Sequence, residues 1–262
     1  MIRGLYTAAA GMTAQQQNID VISNNIANVN TYAFKQDRAE FQDLIYQSLN
    51  YTAGATSETT NNPTGIDTGL GVRVSGIQKN FLQGSIKETG NTYDIAIEGN
   101  GFFQINTPQG EIAYSRNGSF KLDNEGTMVD SQGYALEPEI SIPTDLVKIS
   151  IPQDGTVSGQ DATTGDVTTL GQITLVNFIN PSGLAPQGSS LYLATEVSGD
   201  PIEETPGLEG FGTLRQGMIE GSNVQLVTEM VNLITAQRGY EANSKSINTT
   251  DSMLQTVNQL KR

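Results

Sequence analysis

Apolar residues recur every seven positions at both ends of the chain, while those in its middle alternate with polar ones. Leu5, Met12, Ile19 and Ile26 fall seven apart, with Ala8, Gln15, Ile22 and Val29 three residues after each. This is a heptad pattern, weakened at Ala8 and Gln15. Towards the other end Leu226, Leu233, Tyr240, Ile247 and Leu254 repeat the spacing, flanked by Met230, Ile234 and Val257. The spacing predicts helices over 3–28 and 223–260, the second opened by a Ser222–Gln225 capping box. The remaining faces of both helices are rich in amides and hydroxyls, such as Gln16, Asn24, Ser246 and Thr249, and hold few supporting ion pairs. Two arrangements satisfy such faces. One is an intramolecular helical hairpin. The other is a polymer of packed helices, in which amides bond neighbouring subunits without the desolvation cost of a charge.

The middle predicts strands. Asp94–Gly99 and Phe102–Ile105 flank Asn100-Gly101, and Ile112–Tyr114 and Phe120–Leu122 flank Asn117-Gly118. Both read as Asn-Gly hairpins. Asp123-Asn124-Glu125-Gly126 reads as a turn into Thr127–Val129. Further strands are expected at Val147–Ile151, Ile173–Phe178 and Leu191–Leu193, with surface loops at Asp154–Thr169 and Val197–Gly212. All nine prolines and 24 of 28 glycines lie between residues 49 and 220, so the breakers separate a turn-rich centre from two helical ends.

Charge follows the same division. Residues 1–48 carry a net −1 and residues 221–262 a net +1, so the whole −14 belongs to the centre. This balance argues against nucleic acid or an anionic membrane as partner. With no cysteine and no histidine, thiol catalysis, Cys/His zinc sites and Ser-His-Asp triads are excluded. Carboxylate chemistry stays open, for example a hydrolase using Asp94 with Glu98 or Asp123 with Asp130. Nothing selects a pair among 28 acids. Asp123, Glu125 and Asp130 lack the spacing of a calcium loop, and no metal or cofactor is expected. Met1–Thr13 lacks the pattern of a secretory signal, and no stretch reaches the length of a membrane span.

The most specific words lie at the ends. Ser23-Asn24-Asn25-Ile26-Ala27-Asn28-Val29-Asn30-Thr31-Tyr32-Ala33-Phe34-Lys35 closely resembles the N-terminal signature of bacterial flagellar rod and hook proteins, with Ala33 in place of the usual glycine. Gln237-Arg238-Gly239-Tyr240-Glu241-Ala242-Asn243-Ser244-Lys245 looks like the matching C-terminal signature. There Gly239 replaces the usual alanine, which suggests a close contact or a bend. Ile97–Phe103 and Tyr114–Phe120 resemble the family's central domain. Length and word order look most like the distal rod members.

The resemblance implies an α+β fold, with long N- and C-terminal helices paired as a coiled coil, a central mostly-β domain facing outward and an extended arm. The expected segments are 1–45 (helix and signature), 46–72 (arm), 73–220 (β domain) and 221–262 (helix). Leu5, Met12, Ile19, Ile22, Ile26, Leu226, Met230, Leu233, Tyr240, Ile247 and Leu254 are the expected assembly seam. Asn25, Ala27, Asn28, Thr31, Phe34, Lys35, Gln237, Arg238, Tyr240, Asn243 and Ser244 carry the signature. Tyr46, Leu49 and Tyr51 would anchor the arm, and Pro63 and Gly65 would turn it. The implied role is mechanical: a non-enzymatic subunit of a hollow helical homopolymer that transmits torque from motor to hook. The implied partners are other copies of the chain, proximal rod and hook proteins along the axis, ring proteins of the peptidoglycan and outer membrane, and the flagellar export apparatus. A hook or proximal-rod relative is the alternative within the family, and a periplasmic carboxylate hydrolase the alternative outside it.

Overall fold

The structure is a computed structural model that describes residues 2–50, 55–57, 60–61, 66–108, 110–143, 145–161, 165–208 and 210–260. Two compact units emerge, and neither is one continuous stretch of chain. The first contains residues 1–27, 37–78 and 225–262, the second residues 28–36 and 79–224.

The first unit pairs helix α1, Ile2–Ala27, with helix α2, Leu226–Leu260. Both match the heptad reading to within three residues. The expected capping box does not form: the Ser222 hydroxyl accepts from the Val224 N–H, and α2 starts later, with Glu229 N–H donating to the Gln225 carbonyl. Beside the helices runs a two-stranded ribbon. Asp37–Asp43 pairs with Val72–Lys79, Tyr46–Asn50 with Ile66–Gly69 and Ala55–Ser57 with Thr60–Asn61. The ribbon thus begins at Asp37 and returns to Lys79, beyond the 46 and 72 expected of the arm. Asp37–Asp43 is too polar to read as a strand, since its pairing comes from the backbone and not from a buried face.

The second unit is mostly β. Its largest sheet has seven strands in the order Lys121–Leu122, Met128–Val129, Ala135–Glu137, Phe103–Asn106, Ile112–Ser115, Leu191–Leu193 and Ala185–Gly188. Ile95, Ile97, Phe103, Phe120, Met128, Leu136 and Leu214 belong to its main core. A second cluster sets Phe102, Tyr114, Phe178 and Tyr192 edge to face, the favoured geometry for aromatic quadrupoles.

Neither Asn-Gly pair makes a hairpin. Ile95–Glu98 pairs with Thr213–Gln216, and Phe103–Asn106 pairs with Ile112–Ser115 and Ala135–Glu137. A type I′ turn needs positive φ at both central residues. Among the described residues Asn100, Asn117 and Gly118 do not have it. Among the described residues, the one two-residue turn of that kind joins Ala185–Gly188 to Leu191–Leu193 through Ser189 and Ser190, at φ 53° and 61°. No glycine or asparagine marks it there. The Asp123–Gly126 turn forms as expected, Gly126 N–H donating to the Asp123 carbonyl. The two expected loops also contain strands: Thr156–Asp161 and Val167–Gln172 join Leu146–Ser150 in a three-stranded sheet, and Ile202–Glu204 pairs with Leu175–Asn177. Each holds only one or two apolar residues, such as Val157, Val167, Leu170 and Ile202, among polar ones and glycine, so alternation is too faint to reveal them.

Candidate functional site

The helix pair is drawn together by small and polar residues as much as by the apolar stripe. On α1, Ala8, Ala14, Val21, Ile22 and Asn25 are buried. On α2 the buried residues are Glu229 and Ala236, not the flanking Met230 or Ile234. A Cβ on Gly11 would lie 2.8 Å from the Asn243 amide, so the backbones come close at that crossing. Gly239 faces Gln15, but its Cβ would sit at 3.5 Å, an ordinary contact, and α2 continues unbroken. The close contact expected of this glycine is not present.

Asn25 ties this unit together. Its Nδ2 donates to the Asp37 carbonyl at 2.8 Å and to Glu229 Oε2 at 3.4 Å, and its Oδ1 accepts from Asp37 N–H at 2.9 Å. One buried amide thereby satisfies α1, the start of the ribbon and α2, and each lost bond would leave a desolvated polar group.

Of the expected seam, Ile22 is buried; Leu5, Met12, Ile19, Ile26, Leu233, Ile247 and Leu254 are half-buried; Leu226, Met230 and Tyr240 are exposed. Among the C-terminal signature residues, Gln237 and Arg238 are exposed, and Asn243 and Ser244 half-buried. Tyr46 is exposed and lies against Gly69 across the ribbon. Tyr51, Pro63 and Gly65 and the Leu49 side chain lie outside the described residues.

From Asn28 onward the N-terminal signature belongs to the second unit. Asn28 and Thr31 close a turn through their side chains at 3.0 Å and through Thr31 N–H to the Asn28 carbonyl at 3.1 Å. Ala33 is 1 % exposed at φ 55°, and its N–H donates to the Glu220 carbonyl at 2.9 Å. The glycine expected here is explained by that left-handed backbone. Lys79 lies over the Phe34 ring at 5.3 Å.

Lys35 is fully buried and enters an ion cluster. Its Nζ donates to Glu220 Oε1 at 2.7 Å and to the Leu82 carbonyl at 2.8 Å. Arg116 Nε donates to Glu220 Oε2 at 2.8 Å, and its other two nitrogens donate to the Gly99 and Gly101 carbonyls, each at 2.9 Å. This grip holds Gly99–Gly101 open where a hairpin was expected. Gly84 N–H also donates to Glu220 Oε1. Burial, with Arg116 beside it, pulls the Lys35 ammonium down to about 8, and Glu220 only partly offsets this. Burial alone would push the Glu220 carboxyl up, but Arg116, then Lys35 and the Gly84 N–H, hold it below the usual carboxylate range. The sequence reading missed Glu220 and Arg116 as partners. A charge directly after the apolar pair Met218-Ile219 was the available signal.

Of the proposed carboxylates, Asp94 and Glu98 are engaged in structural contacts. Asp94 accepts from Thr89 and Asn91, and Glu98 pairs with Arg215 at the surface. Asp130 is buried, with Oδ1 taken by Ser131 N–H and Oδ2 without a hydrogen-bond partner, and burial pushes its carboxyl up. Among the described residues no group of acids could hold a metal ion, and no helix is long and apolar enough to cross a membrane.

Three family models match the chain: Flagella basal body rod protein at residues 5–35, Flagellar hook protein FlgE/F/G D1 domain at 96–159, and Flagellar basal body rod FlgEFG protein C-terminal at 215–260. Flagellar basal-body rod protein FlgG of Borreliella burgdorferi is 48 % identical over all of both chains. Its counterpart in Buchnera aphidicola subsp. Schizaphis graminum is 47 % identical over 99 % of this chain and 100 % of that one. Flagellar hook protein FlgE of Escherichia coli is 26 % identical over 97 % and 99 %. Matched end to end at almost half identity, with Asn25 and Lys35 of the signature serving as the buried hubs of its two units, the chain belongs to the FlgG family of flagellar basal-body rod proteins.

Proposed function

We propose that this chain, a structural subunit of the flagellar distal rod, polymerises through its helix pair into a straight hollow shaft that carries torque from motor to hook. The observation that carries this reading is a second apolar stripe on α2. Val227, Met230, Val231 and Ile234 follow at i, i+3, i+4 and i+7 and are each at least half exposed. A contiguous apolar patch of this kind marks an interaction surface. The neighbours it suits are further copies of the chain and, along the axis, other rod and hook proteins. Ring proteins around the shaft and the export apparatus complete the partners, and the acidic centre stays solvated.

Electron microscopy of the purified protein tests the reading. Straight tubes should form, and Leu233→Asp should abolish them while the β unit keeps its circular dichroism, because a charge would enter a packed seam. A wild-type protein that stays monomeric at every concentration rejects the proposal.

A further inference from the structure

The sequence holds two Asn-Gly pairs, and the structure gives them opposite surroundings. Asparagine followed by glycine is the pair most open to one spontaneous reaction, because glycine has no side chain to shield its nitrogen from the preceding amide. The glycine nitrogen attacks the asparagine Cγ and loses its proton, and the side-chain nitrogen leaves as ammonia. The cyclic succinimide then takes up one water at either carbonyl, which gives aspartate or isoaspartate. No oxidant, enzyme or cofactor enters the balance.

At Asn117-Gly118 the fold opposes the reaction. Asn117 is half-buried, its Oδ1 accepts from Ser119 N–H at 3.2 Å, and the Gly118 carbonyl accepts from Ile95 N–H at 2.9 Å. Gly118 is packed so closely that a Cβ there would lie 1.7 Å from the Ile95 carbonyl oxygen, which leaves no space for the peptide plane to turn toward the side chain. At Asn100-Gly101 the reacting groups are free. Asn100 is exposed, and among the described residues neither its side-chain amide nor the Gly101 N–H has a hydrogen-bond partner. Only the carbonyl between them is held, by Gly212 N–H at 2.8 Å. We propose that Asn100 is a site of spontaneous deamidation in the folded protein, converting to aspartate and isoaspartate while Asn117 stays intact. Each conversion adds one carboxylate to a centre that already carries the whole −14. Isoaspartate does more. It routes the main chain through the side-chain carbon and so inserts a methylene between the Gly99 and Gly101 carbonyls, the two acceptors that Arg116 holds at 2.9 Å.

Ageing the full chain at neutral to mildly alkaline pH, followed by peptide mapping and enzymatic methylation of isoaspartate, tests the assignment. In the folded wild type, aspartate and isoaspartate should accumulate at Asn100 several-fold faster than at Asn117. In urea, where the fold protects neither pair, the two should convert at similar rates. Asn100→Gln keeps an amide but needs a larger ring, so the folded variant should lose most of the methylation seen in the wild type. Equal conversion of the two positions in the folded protein, or conversion of Asn117 first, overturns the proposal. So does an Asn100 that is still intact when the urea sample has converted completely. A preference for Asn100 that persists unchanged in urea would trace to local sequence and overturn the role given to the fold.

Discussion

At the scale of single residues, the signature lysine is a buried charge whose neighbours decide its protonation. The Lys35 ammonium is lowered to about 8 from 10.5, so between those values the unfolded chain binds the proton that the folded chain has lost. Stability therefore rises with pH across that window as far as this group contributes, by up to a few kcal/mol, and no gain appears below about pH 8. The urea midpoint of the β unit should rise from pH 8 to pH 10 more in the wild type than in Lys35→Met; identical profiles would refute a titrating Lys35. Glu220 works in the same direction, in a more acidic window. Its carboxyl is held low, so its contribution is complete above the unfolded value and is lost as acid protonates it. Removing it by Glu220→Gln leaves two buried cations, at a cost of about 3–5 kcal/mol. Ala33 offers the reverse test. A left-handed backbone costs an L-residue about 1–2 kcal/mol, so Ala33→Gly should raise the thermal midpoint even though it removes a buried methyl. A lower midpoint would mean that the methyl matters more than the strain.

At the scale of elements, the helices were legible because their heptads run over several turns, and much of the strand pairing was not. Asn100-Gly101 and Asn117-Gly118 carry the composition of hairpins, yet Arg116 donates to the Gly99 and Gly101 carbonyls at the first, and the Gly118 carbonyl accepts from Ile95 N–H at 2.9 Å. Tertiary bonds overrode local turn chemistry. Ser189-Ser190 shows the converse, a tight turn fixed by its flanking strands without the expected residues. Asn25 and Lys35 stood out as members of a word, but their partners Glu229, Glu220 and Arg116 lie 204, 185 and 81 residues further along the chain from one or the other, and spacing gives no hint of such pairs. On α2, Gly239 has room for a methyl, so Gly239→Ala should stabilise the helix by about 1 kcal/mol, measured as a higher midpoint in the helical circular dichroism. A loss would indicate that Gln15 cannot adjust. The ribbon supports a separate expectation. A shaft bends by shortening the axial spacing on one side and lengthening it on the other, so an element that bridges axial neighbours resists both. Deleting Asn50–Pro63 should therefore yield tubes that curve under the microscope, and straight ones would deny the ribbon this role.

At the scale of the molecule, two kinds of adhesion divide the chain. The second unit has a deep apolar core, with Ile95, Ile97, Phe103 and Leu136 at 0 % exposure, and an ion cluster closed inside it. The first unit buries few large side chains. Its helices leave Val227, Met230, Ile234 and Val257 exposed, and its ribbon does the same with Ile45, Tyr46 and Ile77. Buried apolar area is worth about 25 cal/mol per Å², so the first unit has far less to hold it in isolation. Limited proteolysis of the monomer should therefore remove α1, the ribbon and α2 first. The position of the first surviving residue is informative. The β domain was expected to begin at residue 73, but Asn28–Gln36 also belongs to the second unit, anchored by Lys35 on Glu220 and by Ala33 N–H on the Glu220 carbonyl. That segment should persist as a peptide of roughly residues 28–36, bound to the 79–224 core after the ribbon is cut, and should co-elute with it in native mass spectrometry. In Glu220→Gln it should dissociate. A core that retains no such peptide in the wild type would show that the cluster does not hold once the chain is severed.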